Sequence, residues 1–508
     1  MTLDDLLAQP FGTLADLVHH HAVEAPTRVA YVVGDDSLTY AELDARMDRV
    51  AGRLQALGLM PGDRIAVCAA TSLNYVAVFL GSMRAGVAVA PLAPSSTPAQ
   101  LAAMIADCGA GVFFADVASA EALAGEAVAM PTVRLDLPAF DDWLGDAAFV
   151  PVTIAPKSPF HIIYSSGTTG TPKGIVQSHA MRWLQLTTIT RLGYGPDTVA
   201  LLSTPLYSNT TMATFLPALA GGGTTVLMPK FDVAEYLTLA ERHGMTHTML
   251  VPVQYRRLMA HPGFDAADLS ATQMKFATSA PFAAALKADV LARWPGGLVE
   301  YFGMTEGGGT CVLLAHVNPD KLHTVGKPVP GHDIRLIDDA GVEVAAGEIG
   351  EIVGNAPGIM NGYHNQPEKT AAAMWSAPNG RQFLRTGDVG RFDADGFLTL
   401  LDRKKDMIIS GGFNIYPSDL EAVIAADPDV VEAAVVGVPS DDWGETPVAF
   451  VVLRGGSADN LRERVNARLG KTQRLSAVVA VDALPRSAIG KVLKRELRDG
   501  WGAASSPA

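Results

Sequence analysis

Patterns typical of helices alternate with short apolar segments typical of buried strands along most of the sequence. The clearest example begins at Thr39 and Glu42, which have the spacing of a capping box, and apolar side chains then recur at helical spacing from Leu43 to Leu54. A Pro-Gly turn follows, and residues 65–69 predict a buried strand. Repeated units of a helix and an apolar strand predict an α/β fold in which helices cover mainly parallel sheets.

The pattern changes near residue 330. Residues 334–344 and 390–400 each read as two short strands joined at a cluster of Asp and Gly, which is typical of a β-hairpin. These hairpins predict a β subdomain over about residues 325–402, and they belong to a large N-terminal domain that spans residues 1–402. We place the domain boundary at residues 402–406.

A second α/β pattern begins beyond that boundary. Ser418 and Glu421 have the spacing of another capping box, and residues 431–438 and 448–453 read as strands. We therefore expect a small α+β C-terminal domain over residues 403–508.

Charge and cysteine content narrow the class of protein. The 508 residues include 39 Lys and Arg against 53 Asp and Glu, a formal charge of −14, which argues against general binding to nucleic acid. Cys68, Cys108 and Cys311 lie far apart and indicate neither a disulfide framework nor a zinc site. No signal-peptide pattern opens the sequence, and no apolar run is long enough to cross a membrane. We expect a cytoplasmic protein, with a homodimer left open.

The most informative segment reads YSSGTTGTPKG and spans residues 164–174, directly after the apolar run 160–163. Glycines allow tight bends that bring backbone N–H groups onto a phosphate, five hydroxyls add donors, and Lys173 adds a positive charge. The spacing is not that of a Walker loop. A surface loop rich in Ser, Thr and Gly is the alternative, but so many donors after a buried strand favour a phosphate-binding loop.

Four further segments follow along the chain. They read YFGMTE at 301–306, RTGD at 385–388, DRKKD at 402–406 with SGGFN at 410–414, and PRSAIGK at 485–491. Together with the phosphate loop they resemble, in order, the motifs of the adenylate-forming superfamily, which includes acyl-CoA synthetases, peptide-synthetase adenylation domains and firefly luciferase. The resemblance covers essentially the whole chain and implies ATP, Mg²⁺ and coenzyme A as ligands.

The resemblance implies a nucleotide site to which several segments contribute. Its residues are Ser165, Ser166, Gly167, Thr168, Thr169, Gly170, Lys173, Phe302, Thr305, Asp388 and Arg403. Phe302 is implied for the adenine, Thr305 for the α-phosphate and Asp388 for the ribose hydroxyls. On the residues alone, an aromatic ring suits a purine, but Asp388 equally suits a turn and Arg403 a domain edge.

The implied catalytic residues are Lys491, Thr305 and Glu306. Lys491 matches the family lysine that contacts carboxylate and phosphate oxygens during adenylation, where a carboxylate approaches a polyphosphate of like charge. Glu306 is implied as the Mg²⁺ ligand, because Mg²⁺ favours one or two carboxylates beside phosphate oxygens. The local alternatives are a solvated Glu at a strand end and a solvated Lys at a helix start.

Thioester formation needs a second arrangement, for which the family implies a rotation of the C-terminal domain. The implied hinge is Lys405, two positions after Arg403. Gly411, Gly412 and Phe413 are implied for the tunnel that admits the pantetheine arm of CoA, since residues without side chains leave a narrow channel open. A plain turn is the alternative at the two glycines.

The implied acyl pocket draws on three segments. Its residues are Tyr207, Ser208, Asn209, Ser279, Ala280, Pro281, Gly303, Gly307 and Gly308. Ser208 stands where many members of the family carry His, so that gating side chain is absent here. None of these positions offers a cation for a second carboxylate or an acid for an amino group, so we expect a bulky, largely apolar acid of the aromatic, arylalkanoic or medium-chain class.

The resemblance and these residues together predict an AMP-forming acid–CoA ligase, which makes an acyl-adenylate and then an acyl-CoA. One alternative is an adenylating enzyme that loads a carrier protein supplied in trans. Another is a non-catalytic sensor of acyl groups or nucleotides, against which the presence of Lys173, Glu306, Asp388 and Lys491 argues.

Overall fold

The computed structural model describes most of the chain and divides it into two compact units. Described are residues 2–136, 138–165, 173–187, 192–410, 413–440, 443–470, 473–487 and 490–504. The first unit comprises Met1–Asp333 and Asn355–Leu384, and the second comprises Ile334–Gly354 and Arg385–Ala508. The sequence-based boundary at residues 402–406 stays a prediction, whereas packing groups residues 334–354 and 385–402 with the C-terminal residues.

Strands and helices alternate along the chain, as the sequence predicts. The strands are β1 (Val29–Val33), β2 (Asp36–Thr39), β3 (Arg64–Cys68), β4 (Ala88–Pro91), β5 (Val112–Ala115), β6 (Thr132–Arg134), β7 (Pro159–Ser165), β8 (Lys173–Ser178), β9 (Val199–Leu202), β10 (Thr224–Leu227), β11 (His247–Leu250), β12 (Met274–Ala277), β13 (Gly297–Phe302), β14 (Cys311–Leu314), β15 (Lys327–Pro328), β16 (Asp333–Ile337), β17 (Gly350–Asn355), β18 (Gly362–Tyr363), β19 (Met374–Ser376), β20 (Gln382–Phe392), β21 (Leu398–Arg403), β22 (Ile408–Ser410), β23 (Phe413–Ile415), β24 (Val430–Ser440), β25 (Gly444–Leu453) and β26 (Ala477–Ala480). The helices are α1 (Leu3–Leu7), α2 (Leu14–Glu24), α3 (Tyr40–Ala56), α4 (Leu73–Arg84), α5 (Pro98–Cys108), α6 (Val117–Ala122), α7 (Ala139–Leu144), α8 (His179–Leu186), α9 (Asn209–Ala220), α10 (Val233–His243), α11 (Pro252–Met259), α12 (Ala284–Arg293), α13 (Pro367–Ala372), α14 (Pro417–Ala425), α15 (Ala458–Asn466) and α16 (Lys494–Ala504).

The first unit contains a nine-stranded sheet in the order β15-β14-β13-β12-β11-β9-β10-β1-β2. Its central strands from β13 to β1 are parallel, and antiparallel strands close both edges. Helices α9, α10, α11 and α12 supply the long connections that parallel neighbours need. The sheet therefore confirms the helix-covered, mainly parallel arrangement.

A seven-stranded sheet in the same unit has the order β18-β8-β7-β4-β3-β5-β6. Strands β7, β4, β3, β5 and β6 are parallel, whereas β8 and β18 join antiparallel at one edge. The predicted phosphate loop is the connection between β7 and β8. This places its two flanking residues on neighbouring strands.

Two helices of the first unit are buried on all sides. Every residue of α4 from Tyr75 to Arg84 is buried, as is every residue of α9 from Thr210 to Ala220 except the half-buried Ala213. Helix α4 packs against β4 of one sheet and against β1 and β2 of the other. A helix without a polar face is stable only where neighbours cover it completely, which explains its place between the sheets.

The second unit contains two small sheets. One includes β16, β17, the part of β20 that begins at Arg385, and β21, and its β20–β21 hairpin confirms the hairpin predicted at 390–400. The other has the order β23-β22-β25-β24, with β26 parallel beside β25. Strands β24 and β25 contain the predicted strands 431–438 and 448–453, and apolar faces of α14 and α15 pack into the same core.

One local prediction in the second unit was wrong. Ser418 does not cap a helix: α14 begins at Pro417, and the Ser418 N–H donates to the Asp402 Oδ2 at 2.9 Å. Glu421 accepts from the Val435 N–H at 2.8 Å instead of closing a capping box, because α14 packs against β24. The hairpin predicted at 334–344 is present as a short antiparallel turn: Ile337 and Glu343 form a bridge, and the Asp338 N–H donates to the Val342 carbonyl at 2.8 Å, although among these residues only β16 is long enough to count as a strand.

The three cysteines are unpaired and buried, as the sequence analysis leads us to expect. Cys68, Cys108 and Cys311 are free thiols and buried, and burial raises the pKa of each to about 11 or 12. Such thiols are poor nucleophiles at neutral pH. Within the described part of the chain, no helix combines the length and the apolar character that crossing a membrane requires.

Candidate active site

The strands that flank the predicted phosphate loop pair with each other. Strand β7 ends at Ser165 and β8 begins at Lys173, and these two residues are register partners in the antiparallel pair. The segment thus begins at the end of a strand, as predicted, and β8 follows it. The predicted nucleotide contacts Ser166, Gly167, Thr168, Thr169 and Gly170 lie outside the described residues.

Tyr363 connects Lys173 with Glu306, although sequence reasoning did not single it out. Its hydroxyl donates to the Glu306 Oε1 at 2.9 Å, and the Lys173 Nζ lies 5.0 Å from the centre of its ring. Burial and the Glu306 carboxylate raise the pKa of Tyr363, so the phenol keeps its proton and acts as the donor. A cation–π contact and a hydrogen bond therefore gather the predicted phosphate-binding and metal-binding side chains in one place.

Glu306 is the residue predicted to hold Mg²⁺. In the described part of the chain, no three or more His, Cys, Asp or Glu side chains are grouped so that they could hold a metal ion. A single carboxylate still suits Mg²⁺, which completes its octahedral shell with phosphate oxygens and water. The Tyr363 hydroxyl orients this carboxylate through one oxygen.

Three consecutive glycines follow Glu306 because the backbone demands them. Gly307, Gly308 and Gly309 have φ angles of +81°, +80° and +137°, which are left-handed conformations that other residues rarely adopt. A Cβ on Gly307 would also lie 2.2 Å from the carbonyl oxygen of Gly358. The glycines are thus explained by the turn, and the contribution of Gly307 and Gly308 to an acyl pocket stays a prediction.

The first two acyl-pocket segments are linked by a hydrogen bond between side chains. Ser208 caps the N-terminus of α9, where its hydroxyl accepts from the Thr210 N–H at 3.2 Å. The Thr210 Oγ1 lies 2.5 Å from the Ser279 Oγ. Ser279 has a φ of +80°, an uncommon conformation for a residue with a side chain. The structure therefore holds Ser279 in a strained position at the start of α9.

The third acyl-pocket segment is joined to the second through the backbone of β13. The Thr278 hydroxyl donates to the carbonyl oxygen of Tyr301 at 2.9 Å, and the Tyr301 ring stacks on Phe276. Phe302, predicted for the adenine, follows directly as the last residue of β13 and is half-buried. The predicted acyl and adenine segments thus meet at the end of β13.

The remaining acyl-pocket predictions differ in exposure. Tyr207 is half-buried, and burial raises the pKa of its phenol even though the Ser95 side chain hydrogen-bonds to it. Ala280 is half-buried and Pro281 is exposed. Gly303 is exposed, and a Cβ there would lie 3.3 Å from the Thr310 hydroxyl.

In the second unit, Asp388 and Arg403 are register partners on β20 and β21. The Arg403 Nε lies 3.1 Å from the Asp388 Oδ1, and the Asp388 N–H donates to the Thr386 hydroxyl at 3.0 Å. Burial raises the pKa of Asp388, while Arg403 and Lys491 oppose this rise. The two residues predicted for the ribose therefore lie side by side, which a plain turn Asp would not require.

Lys491 shares the electrostatic environment of Asp388. Burial, together with repulsion from Arg403 and Lys405, lowers the pKa of Lys491 to about 8, and Asp388 opposes this decrease. The structure thus brings together Asp388, Arg403, Lys405 and Lys491. Clusters of perturbed titratable groups of this kind are typical of functional sites.

A tight turn holds Lys491. Its N–H donates to the Ser487 hydroxyl at 3.2 Å, its carbonyl accepts from the Ser487 N–H at 2.8 Å, and Gly490 before it has a φ of +78°. Helix α16 begins three residues later, at Lys494. Lys491 is therefore a turn residue, and the alternative of a solvated helix start is wrong.

Most of the predicted CoA tunnel belongs to residues that the structure does not describe. Gly411 and Gly412 lie outside the described residues, and Phe413 is the first residue of β23. Lys405 lies in the turn after β21, and burial lowers its pKa. The tunnel and the hinge stay predictions.

Comparison with known proteins decides the family. The sequence model described as AMP-binding enzyme matches residues 18–364, and the one described as AMP-binding enzyme C-terminal domain matches residues 419–491. The chain belongs to this adenylate-forming family. Feruloyl-CoA synthase from an Amycolatopsis species is 35% identical over 491 residues, which cover 94% of this chain and 97% of that protein. Indoleacetate–CoA ligase from Aromatoleum aromaticum is 33% identical over 510 residues, with 96% and 97% covered.

A solved structure extends the similarity to the fold. ATP-bound MatB from Rhodopseudomonas palustris superposes with a TM-score of 0.87 at 31% identity, over 97% of this chain and 100% of that one. This member of the family is accordingly an enzyme, an AMP-forming acid–thiol ligase with the α/β architecture of the adenylate-forming proteins.

Proposed function

We propose that this ligase activates a bulky, largely apolar acid of the aromatic, arylalkanoic or medium-chain class and transfers its acyl group to CoA. The observation that carries the substrate class is the set of side chains around the linked segments at Thr210, Ser279 and Tyr301, which are aromatic, small or hydroxylic. Such a lining suits an apolar body with few polar groups. Two relatives are named for ferulate and indoleacetate, which are aryl acids.

In the first half-reaction, a carboxylate oxygen of the acid attacks the α-phosphorus of ATP, and pyrophosphate leaves with the electrons of the broken P–O bond. Lys173 is proposed to hold the leaving phosphates, with the loop 165–172 as a cradle. Thr305 and Lys491 are proposed to stabilise the charge that develops on the α-phosphate oxygens. Mg²⁺ held by Glu306 would neutralise phosphate charge.

Adenosine recognition is proposed for Phe302, Asp388 and Arg403. Phe302 would stack on the adenine, Asp388 would accept from the two ribose hydroxyls, and Arg403 would contact the ribose or its phosphate. The hydrogen-bonded pair of Asp388 and Arg403 supports this, because the guanidinium fixes the carboxylate that must accept both hydroxyls.

In the second half-reaction, the CoA sulfur attacks the acyl carbon, the thiol gives up its proton, and AMP leaves with the oxygen that came from the acid. We assign the pantetheine path to Gly411, Gly412 and Phe413, and the change between the half-reactions to a rotation at Lys405. Holding the two reactants in register contributes several kcal/mol in favourable cases, on the order of 7 or more.

A screen of acids tests the proposal. ATP, Mg²⁺ and CoA are offered with cinnamic, arylacetic, arylpropionic and C4–C12 acids, and both AMP and acyl-CoA are measured by mass spectrometry. We expect stoichiometric AMP and acyl-CoA with at least one aryl or medium-chain acid, and a loss of about 10²–10³ in rate for Lys491→Ala. If the acyl group is transferred to a holo carrier protein and not to CoA, the carrier protein is the acceptor and the proposed acceptor is wrong. If the protein binds the nucleotide without turnover, the proposal is overturned in favour of a sensor.

A further inference from the structure

Helix α5 ends beside the strand that leads into the predicted phosphate loop. The Asp107 Oδ2, in the last turn of α5, accepts from the Tyr164 hydroxyl at 2.6 Å. Tyr164 lies on β7 one residue before Ser165, and its half-buried ring packs against the apolar core to which α5 contributes. Burial and the bond to Asp107 raise the pKa of Tyr164, so the phenol keeps its proton and is the donor. A short hydrogen bond therefore joins α5 to the end of β7.

Asp107 is also bound to a second segment, which follows β18. The Asn365 Nδ2 donates to the carbonyl oxygen of Asp107 at 3.2 Å. Asn365 has a φ of +52°, a left-handed conformation that Asn adopts more readily than most residues with a side chain. Asp107 thus contacts β7 through its carboxylate and the residues after β18 through its backbone, although the three segments are distant in the sequence.

The two segments that Asp107 contacts meet at Gly174, the residue after Lys173. Tyr164 and Gly174 are register partners of the β7–β8 pair, and the His364 N–H donates to the carbonyl oxygen of Gly174 at 2.7 Å. A Cβ on Gly174 would lie 3.1 Å from the Tyr164 Cε1 and 3.2 Å from the His364 Cβ. Because the packing leaves so little free space, a displacement of Tyr164 or His364 also displaces Gly174, and Lys173 with it.

The strands next to these segments carry side chains that are proposed to act on the phosphates of ATP. Lys173 begins β8, and its Nζ lies 5.0 Å from the centre of the Tyr363 ring on β18. The Tyr363 hydroxyl in turn donates to the Glu306 Oε1 at 2.9 Å. Asp107 therefore supports both partners of the contact between Lys173 and Tyr363, although it belongs to neither strand.

We propose that Asp107 and Tyr164 are positioning residues that hold Lys173 against Tyr363, and so keep the Lys173 ammonium and the Glu306 carboxylate together at the phosphates of ATP. The inference rests on the proposed function. Lys173 is proposed to bind the phosphates that leave, so the two positioning residues serve the half-reaction that uses ATP and pyrophosphate. They do not serve acyl transfer from a finished acyl-adenylate to CoA, because those phosphates have then already left.

Variants of the hydrogen-bonded pair are compared in acid-dependent ATP–pyrophosphate exchange. Tyr164→Phe removes the donor, Asp107→Ala removes the acceptor, and a third variant combines both changes. We expect each single change to lower kcat/KM for ATP about tenfold, and the double variant to lose no more than either, because all three break the same bond. Independent changes would instead multiply to about 100-fold. Asp107→Asn keeps an acceptor oxygen and should recover most of the loss.

The second half-reaction gives a readout that a purely structural role would not produce. The acyl-adenylate of an accepted acid is prepared chemically and offered with CoA, and the formation of acyl-CoA is measured. We expect Tyr164→Phe and Asp107→Ala to stay within about twofold of the unchanged enzyme in this step. A general loss of structure would lower both half-reactions together.

Tyr236→Phe is the matched control. The Tyr236 hydroxyl donates to the Thr248 Oγ1 at 2.7 Å, so this change also removes a bond between a helix and a strand, α10 and β11, but neither residue belongs to the proposed site. We expect it to lower the melting temperature and to leave both half-reactions unchanged. If Asp107→Ala does not fold, Tyr164→Phe alone still decides, because the ratio of its losses in the two half-reactions needs no second variant.

The outcomes separate the two proposals. If the unchanged enzyme shows no exchange with any acid, the proposed function is refuted and the inference falls with it. If the unchanged enzyme is active, the positioning role alone is refuted by variants that exchange normally, by equal losses in both half-reactions, or by losses that multiply in the double variant. A loss confined to the half-reaction with ATP, of the same size in the single and double variants, supports it.

Discussion

The charge on Lys491 should limit the pH range in which the enzyme forms acyl-adenylate. Burial, together with Arg403 and Lys405, lowers the pKa of this lysine to about 8. Only the ammonium form can stabilise the charge on the α-phosphate, so the adenylation rate should fall as pH rises through this value. The experiment measures the rate over a series of pH values, for the unchanged enzyme and for a Lys491→Arg variant whose guanidinium stays charged.

The size of the effect follows from the protonated fraction. With a pKa of about 8, roughly nine-tenths of Lys491 is charged at pH 7, about half at pH 8 and about one-tenth at pH 9. The expected loss between pH 7 and pH 9 is therefore about tenfold. An ordinary lysine, with a pKa near 10.4, would lose only a few per cent of its charge over this range.

The assay is the pH dependence of kcat/KM for ATP in acid-dependent pyrophosphate exchange, because this parameter reports the groups of the free enzyme. Lys491→Arg is expected to be slower at pH 7 but to lose the fall between pH 7 and pH 9. A rate for the unchanged enzyme that stays level up to pH 10 would refute the reasoning. An equal fall in the Lys491→Arg variant would also refute it, since another group would then be titrating.

Three further changes test other parts of the account. Tyr363→Phe removes the hydroxyl that donates to Glu306, and we expect kcat/KM for MgATP to fall about 2- to 10-fold, as for one lost hydrogen bond. If the activity of the variant depends on Mg²⁺ concentration in the same way as that of the unchanged enzyme, Tyr363 does not orient the Glu306 carboxylate for the metal. Gly307→Ala should lower the free energy of unfolding in urea by several kcal/mol, because the new side chain meets both a left-handed φ and a clash with the backbone. Gly347→Ala is the control: its φ is +86° but the space around it is open, so it should cost only about 1–2 kcal/mol. Equal losses in the two variants would contradict the steric argument. Ser279→Gly should raise the unfolding free energy by about 1 kcal/mol by relieving its positive φ, and a melting temperature below that of the unchanged enzyme would show that its hydrogen bond outweighs the strain.

Local patterns were sufficient for much of the fold. The capping box at Thr39 and Glu42 opens α3 as predicted, and the buried strand expected at 65–69 appears as β3. Alternating helices and apolar strands predict parallel sheets because the signal is repeated many times. The prediction at Ser418 and Glu421 rested on a single residue pair, and it was wrong because α14 packs on β24 and begins at Pro417.

In the candidate site, too, contacts between segments close in the sequence could be predicted, and contacts between distant segments could not. The pairing of Ser165 with Lys173 follows from a short loop between two strands, so the sequence could place both. Tyr363 reaches Lys173 because the short strand β18 pairs with β8, and no spacing in the sequence indicates that pairing.

The central claim is that the acid attacks the α-phosphorus of ATP before the thiol attacks the acyl carbon. Labelling both carboxylate oxygens of an accepted acid with ¹⁸O tests this directly, because one of them must leave in AMP. After complete conversion with CoA, mass spectrometry should show AMP with one ¹⁸O, acyl-CoA with the other, and unlabelled pyrophosphate. Label in pyrophosphate or in inorganic phosphate, or unlabelled AMP beside labelled acyl-CoA, would contradict the account.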